Sequence, residues 1–398
     1  MPPQLAVVIP THNREQSLRR LLDALAAQTA PADAFEVVVV ADGCVDGTAA
    51  MVEGYECPYE LTLVQTPGGS AAAARNRGGR WARAPLLAFL DDDIEPAPTL
   101  VEAFLAEHER EPGRLLLGRS EPAIEPLSFF EVELRRWWRN HITAMARPDH
   151  RFDYRDMHAG NFSIARDTFW TAGGFDEAFP GCGGEDYELG ARLLAAGIQF
   201  AFVWSAVGAH FDDTDLRRSF GRAFQEGRAD VLIAERHPHL RPTMPVARGP
   251  RRRPHLLPAR LRDCIDRLAI RLLAWGGLRG RALARYGRAR RRWYLRGVRF
   301  QEEAGGGAHP LSPSPAPRAD VLELDLAAGL PAARRQLDDV RPRAARLHYR
   351  RHEVGAIPPQ PGAEPLRGVH LAPALAHEPR YLAALAADAV LLPPQAGA

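Results

Sequence analysis

Three consecutive aspartates, Asp91, Asp92 and Asp93, stand directly after the apolar run Leu86–Leu90. Five apolar residues in a row are typical of a strand that is buried on both faces of a parallel sheet. Adjacent carboxylates repel one another and lose hydration on burial, so a divalent cation bound to their oxygens stabilises them. An acidic loop facing water is the alternative, which the buried strand in front disfavours. The sequence therefore predicts a magnesium, calcium or manganese site where open α/β sheets bind their ligands.

The composition is that of a globular protein with a substantial core. The chain has 398 residues, of which 46% are hydrophobic and 25% are charged, which predicts one large domain with an appendage or two domains. A formal net charge of +2 makes nucleic acid an unlikely partner. All 51 basic residues are arginines, which is typical of a genome-wide bias. A single arginine is therefore weak evidence of function.

Cysteine usage and hydropathy bear on the compartment. The four cysteines include no C-x-x-C pair, so neither a zinc site nor a disulfide framework is predicted, and a reducing cytosol fits. The first strand begins too early to leave room for a signal peptide. No apolar run approaches the roughly 20 residues of a transmembrane helix. We expect a cytoplasmic protein, either soluble or bound peripherally at the inner face of a membrane.

Strand and helix patterns alternate four times in the first ninety residues. Strands are expected at 5–10, 35–41, 61–65 and 86–90. This alternation predicts an α/β fold with a doubly wound, mostly parallel sheet flanked by helices. The carboxyl ends of such strands share one edge of the sheet, so the polar residues that follow them should converge on a single cleft.

The rest of the chain divides by composition. Residues 1–240 are expected to form the α/β domain, followed by an Arg-rich helical segment at 251–300. A linker rich in Gly, Pro and Ser follows at 303–318, and residues 319–398 predict a small α/β appendage of unknown role.

The Arg-rich segment contains sixteen arginines against two acids between residues 251 and 299, interleaved with leucine, isoleucine and tryptophan. Three interpretations remain open. The segment is a basic amphipathic helix on an anionic membrane, or a helical hairpin packed back onto the α/β domain. The third and least favoured interpretation is a nucleic-acid-binding arm.

Four separated motifs follow in order, namely Pro10-Thr11-His12-Asn13-Arg14, Asp42-Gly43, the triple aspartate, and Gly183-Gly184-Glu185-Asp186. Two further stretches accompany them, Ala74-Arg75-Asn76-Arg77-Gly78 and Gly173-Gly174-Phe175-Asp176-Glu177. Together they resemble the family-2 glycosyltransferases of the GT-A fold, over about residues 4–215. The last hundred residues carry no such resemblance.

The resemblance implies a nucleotide-diphosphate sugar as donor and an inverting single displacement at its anomeric carbon. The residues implied to bind the nucleotide sugar are Pro10, Thr11, Asn13, Asp42, Arg75, Asn76 and Asp92. The resemblance makes Asp91 and Asp93 the metal ligands. It makes Asp186 the general base in the catalytic Glu185–Asp186 pair. A helix-capping role is the structural alternative for Asp186.

His210 ends a predicted strand and is either a third metal ligand or a hydrogen-bonded structural residue. An imidazole beside two carboxylates favours manganese over magnesium. At strand two, Ala41 stands where the family usually has a first acid, which leaves the identity of the nucleotide open. A UDP- or dTDP-sugar is expected.

Acceptor contacts are predicted for His158, Asn161 and Trp137. Trp137 and the adjacent Trp138 can stack on a sugar face or a lipid, or divide between core and rim. The acceptor is expected to be a surface glycan, a lipid-linked saccharide or a natural product.

Two other functions compete with glycosyl transfer. A sugar-nucleotide pyrophosphorylase also combines a nucleotide-binding sheet with a carboxylate-bound metal, but it needs a Gly-rich basic loop where Thr11-His12-Asn13-Arg14 stands. A non-catalytic nucleotide-sugar-binding scaffold would keep the fold without turnover. The intact Asp91, Asp93 and Asp186 disfavour that scaffold.

Overall fold

The computed structural model describes residues 2–123, 125, 128–179, 181, 183–212, 214–248, 259–305, 320–376 and 378–383. The first half of the main sheet contains β1 (Leu5–Thr11), β2 (Phe35–Asp42), β3 (Glu60–Thr66) and β4 (Leu86–Leu90), in the order β3-β2-β1-β4. All three pairings between these strands are parallel. The apolar runs of β1 and β2 are buried on both faces, as the sequence predicts.

The second half of the sheet is mixed. It consists of β5 (Ile94–Pro96), β6 (Leu115–Pro122), β7 (Asn161–Ala165) and β8 (Phe200–His210), and the full order is β3-β2-β1-β4-β7-β6-β8-β5. Strand β7 runs antiparallel to both of its neighbours, β6 and β8 are parallel, and β5 is antiparallel to β8. Four of the seven pairings are thus parallel, which confirms the predicted α/β fold with a mostly parallel sheet.

Helices cover both faces of the sheet. They are α1 (Glu15–Ala26), α2 (Thr48–Glu53), α3 (Ala71–Trp81), α4 (Leu100–Arg110), α5 (Phe129–Met145), α6 (Arg166–Thr171), α7 (Glu185–Ala195) and α8 (Leu216–Arg236). Helix α1 buries Leu18, Leu21, Leu22 and Leu25, whose spacing places them on one helical face, against β1 and β2. The opposite core contains Phe89, Phe162, Phe169 and Phe175. The sheet therefore separates two apolar layers.

Helices α9 (Ala259–Trp275) and α10 (Arg279–Ala304) form a hairpin that packs on α8 and α5. The helices α8 and α10 approach closely because Gly227 and Gly297 each lie against the other helix's backbone, where a Cβ would collide with a carbonyl oxygen. The ring of Phe220 on α8 stacks on Tyr286 and Trp293 of α10. Among the described residues, no helix is long and apolar enough to span a bilayer.

A small second sheet follows. It contains β9 (Val321–Asp325), β10 (Ala344–Tyr349) and β11 (His352–Ile357), in the order β11-β10-β9, with α11 (Leu330–Val340) and α12 (Leu371–Leu375). This is the predicted C-terminal α/β appendage. Arg151 joins it to the main domain by donating to the carbonyl oxygens of Glu364 and Arg343 at 3.0 Å each. Residues 249–258 of the predicted Arg-rich segment, 306–319 around the predicted linker and 384–398 lie outside the described residues.

Candidate active site

The carboxyl ends of the parallel strands meet in one cleft, as their order requires. Thr11 ends β1, Asp42 ends β2, and the triple aspartate follows β4. The Thr11 hydroxyl donates to an Asp92 carboxylate oxygen at 2.7 Å. The Asp42 carboxylate accepts from the Thr66 hydroxyl at the end of β3 and from the Gly69 N–H at 3.0 Å. Residues at or just after the ends of four strands thus form two hydrogen-bonded pairs, Thr11–Asp92 and Asp42–Thr66.

The loops after β1 and β2 are tied together through Asn13. This residue adopts the left-handed conformation (φ 54°), and its amide oxygen accepts from the N–H groups of Val45 at 2.8 Å and Asp46 at 3.3 Å. The His12 Nδ1 lies 2.6 Å from the Asp42 carbonyl oxygen. Pro10 pairs with Val40 one position before Thr11. Asn13 thus shapes this rim of the cleft, and its oxygen is already engaged there.

The three aspartates form a crowded anionic cluster. The side chains of Asp92 and Asp93 are mostly buried, and Arg14 lies 4.0 Å from a carboxylate oxygen of Asp92 and 3.6 Å from one of Asp93. Burial raises the pKa of Asp92 to about 7 against the opposing hydrogen bond from Thr11. Burial and the nearby Asp91 raise the pKa of Asp93. The crowding means that additional positive charge would stabilise the ionised cluster.

Two side chains of metal-ligating types face each other at the end of β8. His210 Nε2 lies 3.6 Å from Asp93 Oδ1, so an imidazole and a carboxylate face each other across the end of β8. A Cβ at Gly160 would lie 2.7 Å from Asp91 Oδ2, so only glycine leaves that oxygen open. Within the described ranges, no three His, Cys, Asp or Glu side chains are grouped to hold a metal by themselves. A cation here would complete its coordination with oxygens from a ligand.

Arg75 connects the acid cluster to the Glu-Asp motif. Its Nη2 lies 2.6 Å from Asp91 Oδ1 and its Nη1 lies 3.0 Å from Glu185 Oε1, with the guanidinium almost fully buried. Burial acts to lower the pKa of Arg75, but the charges of the two carboxylates outweigh it, and the net shift is upward. Arg75 therefore stays charged and fixes two sequence-distant motifs against each other.

Asp186 is the second residue of α7, next to this bridge. Its Oδ1 accepts from the N–H groups of Gly184 at 3.2 Å and Tyr187 at 2.8 Å, as expected for a carboxylate at a helix N-terminus. Gly184 has φ 93°, a conformation that favours glycine. Burial, and then the charge of Glu185, raise the pKa of Asp186 to about 7. A carboxylate with this pKa is a stronger base than an ordinary aspartate and is largely ionised above pH 7.

Asn76 positions the turn in front of α7. Its amide nitrogen donates to the Phe175 carbonyl oxygen and to Glu177 Oε1, and its amide oxygen accepts from the Phe175 N–H, all at 2.8 Å. The residue is buried. The sequence predicts that Asn76 binds the nucleotide sugar. In the structure, its side-chain amide makes these three hydrogen bonds within the Gly173–Glu177 turn.

A wall of aromatic and histidine rings stands beside the cleft. Trp137 stacks on His141 with 5.3 Å between ring centroids and 4° between planes, and half of its surface is exposed. His141 and His158 share a hydrogen bond of 2.7 Å between their Nε2 atoms. Trp138 contacts the rings of both His158 and His210. Burial, and then His141, lower the pKa of His158 to about 3, so this ring is neutral at physiological pH.

Asn161 lies inside the sheet. Its amide nitrogen donates to the Ala206 carbonyl oxygen at 3.3 Å, and Gly118 and Gly208 provide the space that its side chain occupies. Its amide oxygen is buried without a hydrogen-bond partner among the described residues. The side chain of Asn161, predicted from the sequence as an acceptor contact, is therefore placed between strands of the sheet.

Sequence reasoning did not single out Arg14 or His141. Arg14 belongs to the Pro10–Arg14 motif, and it lies near the acids because β1 and β4 are neighbours in the sheet. His141 follows Trp137 by four residues, the spacing that places two side chains on one helical face. That spacing was the available signal.

Comparison with known proteins identifies the class. Residues 6–173 match the model of glycosyl transferase family 2, and residues 139–211 match one described as the N-terminal domain of galactosyltransferase. Residues 6–173 are therefore similar to glycosyltransferase family 2, in agreement with the motifs and the fold.

Individual relatives match parts of the chain. Validoxylamine A glucosyltransferase of Streptomyces hygroscopicus subsp. limoneus is 40% identical over 225 residues, 49% of each chain. The pre-mycofactocin glycosyltransferase of Mycobacterium tuberculosis is 31% identical over 59% of this chain and 48% of its own length. Chondroitin synthase of Escherichia coli is 25% identical over 59% of this chain and 38% of its own length. The chain thus spans about half the length of the first two relatives, or less in the third.

Among solved structures, the mannosyltransferase PcManGT from Pyrobaculum calidifontis, in complex with GDP-Man and Mn²⁺, superposes with a TM-score of 0.45. Its sequence identity is 19%, over 78% of this chain and 77% of that one. That similarity is too low to support a functional conclusion.

Proposed function

We propose that this protein transfers a sugar from a nucleotide-diphosphate donor to an acceptor hydroxyl, with inversion at the anomeric carbon. The observation that carries the proposal is the Arg75 bridge, which holds Asp91 of the acid cluster and Glu185 beside Asp186 on one guanidinium. A diphosphate-binding end and a base-bearing end are thereby kept in a fixed relation. Glycosyl transfer needs such a relation because nucleophile and leaving group occupy opposite faces of the reacting carbon.

In the proposed reaction, Asp186 accepts the proton of the acceptor hydroxyl as its oxygen forms the new bond to the anomeric carbon. The bond from that carbon to the diphosphate breaks, and its electron pair stays on the departing phosphate oxygen. The raised pKa of Asp186, about 7, suits a base that must be ionised yet proton-accepting near neutral pH. The backbone N–H groups of Gly184 and Tyr187 orient the carboxylate.

The donor is proposed to bind between the Asp42 rim and the acid cluster. Asp42, with Pro10 and Thr11, would line the base and ribose pocket, and Asp92 would face the ribose. Asp91, Asp93 and His210 would hold a divalent cation, for which an imidazole with two carboxylates favours manganese over magnesium. When bound, the cation neutralises charge on the leaving diphosphate. We propose UDP or dTDP as the nucleotide.

The acceptor is proposed to lie on the exposed face of Trp137. Sugar rings present apolar faces that stack on aromatic side chains, and the neutral His141–His158 pair offers hydrogen-bonding nitrogens beside them. The relatives' names include a glucosyltransferase for validoxylamine A and a chondroitin synthase. We therefore propose an acceptor hydroxyl on a saccharide ring, either in a glycan or lipid-linked saccharide or on a natural product.

Nucleotide binding tests the proposal directly. The melting temperature of the purified protein is measured with UDP, dTDP, GDP and ADP, each with Mn²⁺, Mg²⁺ or EDTA, since a ligand of the native state raises it. A metal-dependent rise with one nucleotide, absent in Asp93→Asn, supports the proposal and selects the donor. The matching nucleotide sugar is then assayed for turnover. No rise with any nucleotide contradicts the proposal, and binding without turnover on any acceptor favours the scaffold alternative.

A further inference from the structure

Helix α9 presents a continuous apolar stripe to solvent. Its members are Leu261, Ile265, Leu268, Leu272 and Trp275, which are between 40% and 89% exposed. Their spacing alternates between four and three residues, so they share one helical face. Fourteen residues at a rise of 1.5 Å make this stripe about 21 Å long. Scattered exposed leucines are ordinary on protein surfaces, but an aligned row of this length indicates an interaction site.

The opposite face of α9 buries charge as well as the apolar Ile270. Asp266 forms ion pairs with Arg285, at 2.9 Å, and Arg292, and Asp263 pairs with Arg296 at 2.9 Å. Both aspartates are buried against α10. A surface helix normally places its leucines against the core and its acids in water. In α9 both acids face inward while a row of large apolar side chains faces solvent, so this second apolar face is available for a partner.

The surface around the stripe is positively charged. Exposed arginines on the hairpin are Arg271, Arg279, Arg281, Arg288, Arg291 and Arg299. The two acids among residues 251–299 are the inward-facing Asp263 and Asp266. The occupant of this face must therefore offer both apolar volume and negative charge. A second copy of the hairpin would bring like charges together, and nucleic acid would leave the stripe in water.

We propose that the α9–α10 hairpin docks on an anionic lipid membrane. Helix α9 lies in the plane of the interface with its apolar stripe among the acyl chains, and the arginines contact anionic headgroups. Trp275, at the end of α9, lies at the interfacial depth that tryptophan prefers. This inference is independent of the proposed transfer reaction. The two are compatible, because the hairpin packs on α5, the helix that carries Trp137.

Vesicle sedimentation of the full chain tests the proposal. Vesicles of phosphatidylcholine alone and of equal parts phosphatidylcholine and phosphatidylglycerol are mixed with wild type and with the triple variant Leu268→Gln, Leu272→Gln, Trp275→Gln. These side chains are exposed, so the fold should persist, which circular dichroism and melting temperature verify. The matched control is Trp81→Gln, Val340→Gln, Leu382→Gln, which removes one exposed tryptophan and two exposed aliphatic residues elsewhere.

We expect wild type and control to bind the anionic vesicles, and to bind vesicles of phosphatidylcholine alone at least tenfold more weakly. The stripe variant should bind the anionic vesicles at least tenfold more weakly than wild type. Binding should weaken as salt is raised. Failure of wild type to bind anionic vesicles, or equal binding by the stripe variant, overturns the proposal. A wild-type dimer that the stripe variant converts to monomer, without vesicle binding, assigns the stripe to self-association instead. If duplex DNA abolishes vesicle binding equally in the stripe variant and in the control variant, the arginines bind nucleic acid instead.

Discussion

Replacing Asp186 by asparagine separates catalysis from folding. Asparagine keeps the size and an oxygen that can accept from the Gly184 and Tyr187 N–H groups, but it cannot accept a proton. Since a general base contributes about 10²–10⁴-fold to a rate, kcat should fall by about that factor while donor binding is unchanged. In the wild type, kcat should rise about tenfold per pH unit below pH 7 and level off above it, because the base must be ionised.

The same substitution should stabilise the fold. Between the ordinary pKa of 3.8 and the raised value of about 7, the folded state holds a proton on Asp186 that the unfolded state has lost. The free energy of unfolding of the wild type therefore falls as pH rises through this window, by about 1.4 kcal/mol per unit, and is flat above it. Three units give an upper limit of about 4 kcal/mol. Asparagine removes this dependence, so its advantage over wild type should grow by about 3 kcal/mol from pH 5 to pH 8.

The assay combines urea denaturation at several pH values with steady-state kinetics. Asp230→Asn is the matched control, because burial raises the pKa of Asp230 to about 6 and its carboxylate accepts from Tyr294 at the α8–α10 contact. The control should show a smaller pH-dependent effect on stability with unchanged kcat.

Two results would refute the reasoning on Asp186. Normal turnover by Asp186→Asn would show that another group is the base. A stability difference that does not vary between pH 5 and pH 8 would show that the carboxyl titrates at its ordinary pKa, and the pH dependence of kcat would then need another origin.

Three further substitutions test the site. Arg75→Met should lower the free energy of unfolding by about 3–5 kcal/mol, because two carboxylates lose their buried partner, and Arg75→Lys should recover part of this loss. Urea denaturation distinguishes the variants. Equal stability of the wild type and both variants would contradict the Arg75 bridge. Asp93→Asn should abolish the Mn²⁺-dependent rise in melting temperature with nucleotide, and an undiminished rise would remove Asp93 from the metal site. Trp137→Ala should raise the acceptor KM about fivefold without changing the donor KM, since stacking is worth about 1 kcal/mol, whereas the half-exposed control Trp204→Ala should change neither. An unchanged acceptor KM in Trp137→Ala would place the acceptor elsewhere.

The first sheet half and the strand-end carboxylates were predictable because local pattern determines them. Continuous apolar runs such as Val37–Ala41 are buried on both faces wherever helices cover a parallel sheet, and polar residues at their ends must then share an edge. The cleft containing Thr11, Asp42 and Asp91 follows from that rule without any distance information.

Partner choice within the site was not predictable, because it depends on contacts between distant residues. Arg75 precedes Glu185 by 110 positions, and no local pattern indicates that its guanidinium meets two carboxylates rather than a phosphate. Asn76 likewise turns from the cleft toward Phe175, 99 positions away. Helix α9 shows the same limit in another form. Its sequence is amphipathic, but periodicity does not reveal which face is buried. In the structure, the face that carries Asp263 and Asp266 packs on α10 through ion pairs.

The two adjacent acids of the Glu-Asp motif lie in different environments, although they belong to the same turn of α7. Glu185 is buried and points to Arg75, which compensates its charge and secures the connection to Asp91. Asp186 is oriented by backbone N–H groups, and burial and the like charge of Glu185 raise its pKa, which makes it a stronger base than an ordinary aspartate. If the arginine contacted Asp186 instead, it would stabilise the ionised form and weaken the base. In the proposed reaction, the order Glu then Asp gives anchoring to the first residue and proton transfer to the second.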